Sequence, residues 1–180
     1  MASSCMLVTG PSGAGKTTLA EYFKSRGANA IDADTAGIGV WLDENGKRFD
    51  QPEGIGNKAG QWAFRMGLRW SWDESKLRQL LSRAAVVYLF GGAYNISSFI
   101  GLFKRKYYLD ADARLLAERL KSRSREGKSY HGWGETAEQR AVILGELDED
   151  RRRAEQLGFE FIDAHLSPKQ VFERLCEDIS

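Results

Sequence analysis

Residues Gly10 to Thr17 read GPSGAGKT, and their types and spacing suit the grip on a polyphosphate. Glycines remove the Cβ atoms that would keep backbone N–H groups from converging on phosphate oxygens. The main chain from Gly10 through Ser12, Gly13, Ala14 and Gly15 to Thr18 is therefore expected to wrap the phosphates. Lys16 has the length to reach a β- and a γ-phosphate, and Thr17 offers a hydroxyl to Mg2+. An apolar run, Met6-Leu7-Val8, precedes the loop, and a helical pattern with Leu19, Ala20, Tyr22 and Phe23 on one face follows it. A strand before the loop and a helix after it direct the helix's positive end at the same anion.

Two acids come next. Asp32 and Asp34 follow a second short apolar run, Ala28 to Ile31, at the carboxyl end where open α/β sheets place ligands. Side chains two apart on a strand point the same way, so both carboxylates can face one site. One would hold Mg2+ through water while the other orients or deprotonates an acceptor hydroxyl. Asp is also a common turn cap, which is the competing role for either. The cations lie further along the chain. Arg119 and Arg123 stand four apart on a helix, hence on one face, and Arg125 and Lys128 follow. Charge that spreads over a transferring phosphoryl group needs such cations. Basic residues at a helix end also serve the helix dipole, which is the plainer reason for them.

These groups need elements to carry them. Ala84 to Phe90 is the clearest buried strand and ends at Gly91-Gly92; Lys106 to Leu109 reads as a fourth strand and Phe159 to Ile162 as a fifth. A helix is expected from an Asp112 cap. Thr136-x-x-Gln139 predicts a capping box on a long helix reaching about Leu157, and Ser167-Pro168 opens the last helix. Residues 43–58 are turn-like, and two helices are expected after them, the second behind an Asp73 cap. Residues 35–83 hold Trp41, Trp62, Trp70 and Trp72, four of the five tryptophans, any of which can line an acceptor pocket. Residues 122–135 are polar, basic and glycine-bearing, as a loop would be. Strands alternating with helices imply an α/β chain with a parallel sheet covered on both faces.

The GPSGAGKT loop, the Asp-x-Asp after the second strand and the basic helix and loop before the last strand resemble the small P-loop kinases of the adenylate kinase and shikimate kinase group. That resemblance implies a three-layer P-loop NTPase fold in one domain over residues 1–180, with a five-stranded parallel sheet in the order 2-3-1-4-5. It makes 35–83 a substrate-binding insert and 122–135 a closing lid. In the shikimate-kinase-like branch the first acid lies near Mg2+ and the second contacts the acceptor, which implies those roles for Asp32 and Asp34. The same branch has a glycine-rich turn after the third strand, matched by Gly91-Gly92, and a substrate arginine that Arg65 of Phe64-Arg65 can match; a surface charge is the alternative for Arg65. An adenine-stacking arginine falls on Arg119, lid arginines on Arg123 and Arg125, and the adenine-side loop on Ile162 to Pro168, with Ser167 in it. Three features depart from the group. No acid closes Val86 to Phe90, Gly91-Gly92-Ala93 is not a triple glycine, and the tryptophan-rich segment has no counterpart. The activity implied is ATP- and Mg2+-dependent transfer of the γ-phosphate to a small acceptor, a hydroxyl first of all. A nucleoside monophosphate kinase and an ATP-binding regulatory module with slow ATPase activity are the alternatives.

Composition narrows the partners. A formal charge of +1 gives no global field toward nucleic acid or an anionic membrane. Arg151-Arg152-Arg153 sits among Glu146, Asp148, Glu149 and Asp150 and reads as a solvated helix face. Cys5 and Cys176 make neither a disulfide framework nor a zinc pattern. No apolar run approaches a membrane span of roughly 20 residues, and no signal peptide is evident, so a cytoplasmic location is expected, while the family resemblance implies a monomer or homodimer.

Overall fold

The computed structural model describes residues 4–125 and 133–177. Its central sheet has five strands, β1 (Ser4–Thr9), β2 (Ala30–Asp32), β6 (Val86–Phe90), β7 (Arg105–Asp110) and β8 (Glu160–Asp163). They run in the order β2-β6-β1-β7-β8, and every pairing is parallel. This is the expected 2-3-1-4-5 order among the core strands.

Alternation along the strands explains the layers. Met6, Val8, Tyr88, Phe90, Tyr107 and Leu109 point to one face, where α1 (Lys16–Ser25) and α7 (Pro168–Glu177) cover them. Phe23 of α1 is the keystone there, edge-on to Tyr88, Phe90 and Phe172 with ring centroids about 5 Å away. Cys5, Leu7, Val87, Leu89 and Tyr108 point to the other face, against Leu77, Leu80 and Leu81 of α3 (Glu74–Leu81) and Ala154 of α6 (Leu147–Gln156). Because β1 feeds a strand on one side and β7 lies on its other side, the crevice at their carboxyl ends is the topological switch point where such sheets bind ligands.

Between β2 and β6 the structure adds elements that the sequence pattern did not suggest. A small antiparallel sheet, β4-β3-β5, is built from β3 (Gly39–Leu42), β4 (Arg48–Phe49) and β5 (Arg69–Trp72). The two helices of this stretch are α2 (Ala59–Arg65) and α3, and the Asp73 carboxylate caps α3 by accepting from the Lys76 N–H at 3.1 Å. Trp41, Trp62 and Trp70 pack on one another beside the small sheet, whereas Trp72 is buried in the main core.

After β7 comes α4 (Ala113–Arg125). The capping box forms as expected, with Thr136 Oγ1 accepting from Gln139 N–H and Gln139 Oε1 accepting from Thr136 N–H. The long helix expected behind it is two helices, α5 (Ala137–Gly145) and α6, meeting at Glu146, whose ψ of −4° breaks the helical path. Among the described residues, no helix is long and apolar enough to cross a membrane.

Candidate active site

The loop after β1 is shaped by three glycines with positive φ, Gly10 (146°), Gly13 (92°) and Gly15 (106°). Space forbids a side chain at the first and is tight at the second. A Cβ on Gly10 would stand 2.8 Å from the Leu109 carbonyl oxygen of β7, and one on Gly13 would press the Leu120 side chain of α4 at 3.2 Å. Gly15 is the N-cap of α1, no side chain caps the helix, and its first turn holds no acid. The amides at that end are oriented to receive an anion. Lys16 Nζ arches back and donates to the carbonyls of Gly10 at 2.7 Å and Pro11 at 2.9 Å. The side chains of Thr17 and Thr18 are exposed in the first turn of α1. A glycine cradle, a lysine and two open hydroxyls fit a nucleotide polyphosphate with its Mg2+.

Arg119 ties this loop to the far side of the sheet. Its guanidinium donates to the Ala14 carbonyl at 2.9 Å and to the Ala164 carbonyl at 3.0 Å, so α4 bridges the phosphate loop and the segment after β8. Ser167 lies in that segment, where its hydroxyl and Gln170 exchange hydrogen bonds at the start of α7. The side chains of Arg123 and Arg125, Lys128, and most of the 122–135 segment lie outside the described residues.

The two acids do not share a strand face. The strand β2 stops at Asp32, and the chain turns at once. Asp32 is 5% exposed and its Oδ1 accepts the Asp34 N–H at 2.9 Å, closing an Asx-type turn. Thr35 closes the same turn from its hydroxyl to the Asp32 carbonyl. Asp34 instead reaches the small sheet, where its Oδ1 accepts from Trp70 Nε1 at 3.1 Å. Gly39 makes room for that indole, since a Cβ there would lie 2.0 Å from the Trp70 ring.

Next to the loop opens a pocket. Thr9 and Gly10 form one wall, Gly92, Ala93 and Ile96 a second, and Asp150, Arg153, Ala154 and Leu157 a third. Tyr108 and Phe159 complete its lining. Gly91 and Gly92 let the turn after β6 come close: a Cβ on Gly91 would be 2.5 Å from the Ala33 Cβ, and one on Gly92 would be 3.3 Å from Thr9 Oγ1. At the rim, the Arg69 guanidinium stacks on the exposed Tyr94 ring at 4.0 Å, and Arg153 approaches the same ring at 5.9 Å. Arg65 is exposed at the end of α2 and does not line this pocket. None of the four tryptophans lines it either.

Asp150 and Arg153 were not singled out by sequence reasoning, because the arginine run looked like a solvated face. Successive helical residues point about 100° apart, and the run divides accordingly. Arg151 pairs with both carboxylate oxygens of Asp110, Arg152 returns to the Asp148 carbonyl, and Arg153 turns to the pocket. The signal was present in the offsets: 150, 153, 154 and 157 form one helical stripe.

Burial pushes the Asp150 carboxyl above the ordinary range; the positive charges of Arg153 and Lys16 pull against that, and Glu149 adds to it. Burial also raises the Tyr108 phenol, helped by the charges of Asp150 and Asp110, so Tyr108 stays neutral.

No protein-family model matches the chain, and no curated protein matches it. Solved structures do. A shikimate kinase from Acinetobacter baumannii bound to shikimate superimposes with a TM-score of 0.61 at 18% identity, over 98% of this chain and 94% of that one. The fold is that of the small P-loop kinases. Two further examples of the small P-loop kinase fold agree end to end. A deoxyadenosine kinase from M. mycoides with bound dATP gives 0.56 at 15% identity, over 97% of this chain and 98% of that one. A gluconokinase from Sinorhizobium meliloti 1021 gives 0.52 at 16% identity, over 99% and 96%. The likeness spans whole chains at such low identity, so what is shared is the topology.

Proposed function

We propose that this chain is an ATP-dependent phosphotransferase that moves the γ-phosphate of ATP onto a hydroxyl of a small acceptor. One observation carries the reading: the pocket and the phosphate loop share a wall, because Thr9 and Gly10 begin the loop and also line the pocket. An acceptor held between Gly92 and α6 then stands beside the phosphate that Lys16 would grip.

In this reading the amides of Ser12 to Gly15 and the α1 N-terminus hold the β-phosphate, and Lys16 exchanges its carbonyl partners for β- and γ-phosphate oxygens. Thr17 and, through water, Asp32 hold Mg2+, which neutralises charge on the phosphates when bound. Arg119 and Ser167 lie on the nucleotide side, Gly91, Gly92 and Asp34 on the acceptor side, and Arg123 and Arg125 supply positive charge to the transferring group. Arg65 is at most a peripheral acceptor contact, since it is exposed away from the pocket. The guanidiniums of Arg69 and Arg153 beside Tyr94 favour an acceptor that carries a carboxylate, as shikimate and gluconate do, over a neutral nucleoside.

The test is Mg2+-dependent ADP release from ATP, measured alone and with shikimate, D-gluconate, deoxyadenosine and nucleoside monophosphates. The expected result is strong stimulation by a carboxylate-bearing polyol. Stimulation by nucleoside monophosphates alone would replace the reading with a nucleotide kinase, and tight ATP binding with no stimulation would replace it with a regulatory module.

A further inference from the structure

Three acids are candidates for the acceptor hydroxyl, and they are differently occupied. The Asp32 carboxylate is buried and holds the Asp34 amide. Asp34 holds the Trp70 indole. Asp150 lines the pocket itself, and among the described residues its carboxylate makes no hydrogen bond. It sits on the same face of α6 as Arg153, Ala154 and Leu157, opposite Thr9 and Gly10.

The charges around Asp150 place it further. The Arg153 guanidinium and the Lys16 ammonium both favour its ionised form, and Glu149 on its own helix opposes it. Burial and the Asp150 charge raise the carboxyl of Glu146 at the helix start, and the same two causes raise the Tyr108 phenol on β7. A lysine at this loop position spans the β- and γ-phosphates. Asp150 shares its pocket with Thr9 and Gly10, which begin the phosphate loop, so it lies on the side from which an acceptor hydroxyl would approach the phosphate.

We propose that Asp150 is the carboxylate that orients and deprotonates the acceptor hydroxyl. The assignment rests on the phosphotransferase reading above. In the step it serves, the acceptor O–H proton passes to an Asp150 carboxylate oxygen as the acceptor oxygen bonds to the γ-phosphorus. The bond from that phosphorus to the β–γ bridging oxygen breaks, and its electron pair leaves on ADP. The proton then passes from Asp150 to water. Partial burial suits the role, since a carboxyl raised toward neutrality is a stronger base than a fully solvated one.

The experiment compares wild type with Asp150→Asn, Asp150→Glu and Glu155→Gln, each first checked for wild-type circular dichroism. Two quantities are read: the ratio of ATP to ADP affinity by calorimetry, and the rate of ADP release with D-gluconate, shikimate, deoxyadenosine or water as acceptor. Asp150→Asn removes a negative charge from beside the γ-phosphate, so ATP binding should tighten relative to ADP by about threefold or more. Turnover should fall about 10²-fold. Asp150→Glu should recover part of the turnover, and Glu155→Gln, an exposed acid of the same helix that does not line the pocket, should change neither quantity. An unchanged ATP-to-ADP ratio in Asp150→Asn overturns the proposal, and so does a raised ratio with wild-type turnover. Failure of every added acceptor to stimulate the wild-type enzyme breaks the phosphotransferase reading instead. The affinity ratio and the rate with water as acceptor then decide the place and role of Asp150 separately.

Discussion

The phosphate loop and the pocket beside it are built in opposite ways. The loop is one stretch of eight residues whose shape comes from its own glycines and from the helix it opens. The pocket draws on β1, the turn after β6, β7, α6 and the segment after it, so its lining runs from Thr9 to Phe159. A contiguous site depends on local backbone geometry and survives large changes elsewhere. A dispersed site depends on packing, so distant elements can retune it without touching the loop.

The largest effect should come from the loop's one charged side chain. Lys16→Ala is expected to lower turnover by about 10³-fold, since it removes the cation aimed at charge that develops in transfer. Thermal stability should hold, because Lys16 is only part-buried and its bonds to the Gly10 and Pro11 carbonyls lie within its own loop. Turnover near wild type in steady-state assays of ADP release would break the comparison outright, since the loop would then not be the chemical centre.

A matched pair sharpens it. Gly10→Ala forces a Cβ to within 2.8 Å of a β7 carbonyl at a φ of 146°, a strain of about 1–3 kcal/mol. Gly91→Ala drives a Cβ to within 2.5 Å of Ala33, overpacking of about 1–3 kcal/mol. The costs are alike, but the readouts should separate: nucleotide affinity falls in Gly10→Ala, whereas acceptor KM rises in Gly91→Ala with nucleotide affinity held. Calorimetry with ADP and acceptor titrations of turnover check this. Equal loss of both affinities in both variants would mean that the two regions act as one.

What the sequence made legible follows the same line. The loop, the five core strands and the Thr136–Gln139 capping box were readable because each is set within a few residues. The small sheet was not. Its strands run from two to four residues, too short to show a period, and its stability comes from cross-strand partners such as Trp41 and Trp70, almost thirty positions apart. Asp34 was placed on a strand face because the sequence does not mark where β2 stops; the Asx turn that stops it uses the Asp32 side chain itself. Asp150 was hidden by its neighbours, since a run of charges looks solvated unless one knows which offset faces the crevice.

The smallest effect concerns stability, and it tests whether the pocket wall carries a cost that the loop does not. Burial holds the Asp150 carboxyl above its ordinary value of 3.8, so the folded chain binds that proton more tightly than the unfolded chain does. The contribution to stability is then fully present below about pH 3.8 and is lost as pH rises through the folded value. At neutral pH Asp150 is ionised in a site that disfavours the charge, with Lys16 and Arg153 offsetting part of the penalty. Asp150→Asn should therefore melt higher than wild type at pH 7, and the gap should close as pH falls toward 4, which thermal melts across that range would check. A variant less stable than wild type at pH 7 would mean that the two cations outweigh burial, and that the Asp150 carboxylate holds this wall of the pocket to the phosphate loop.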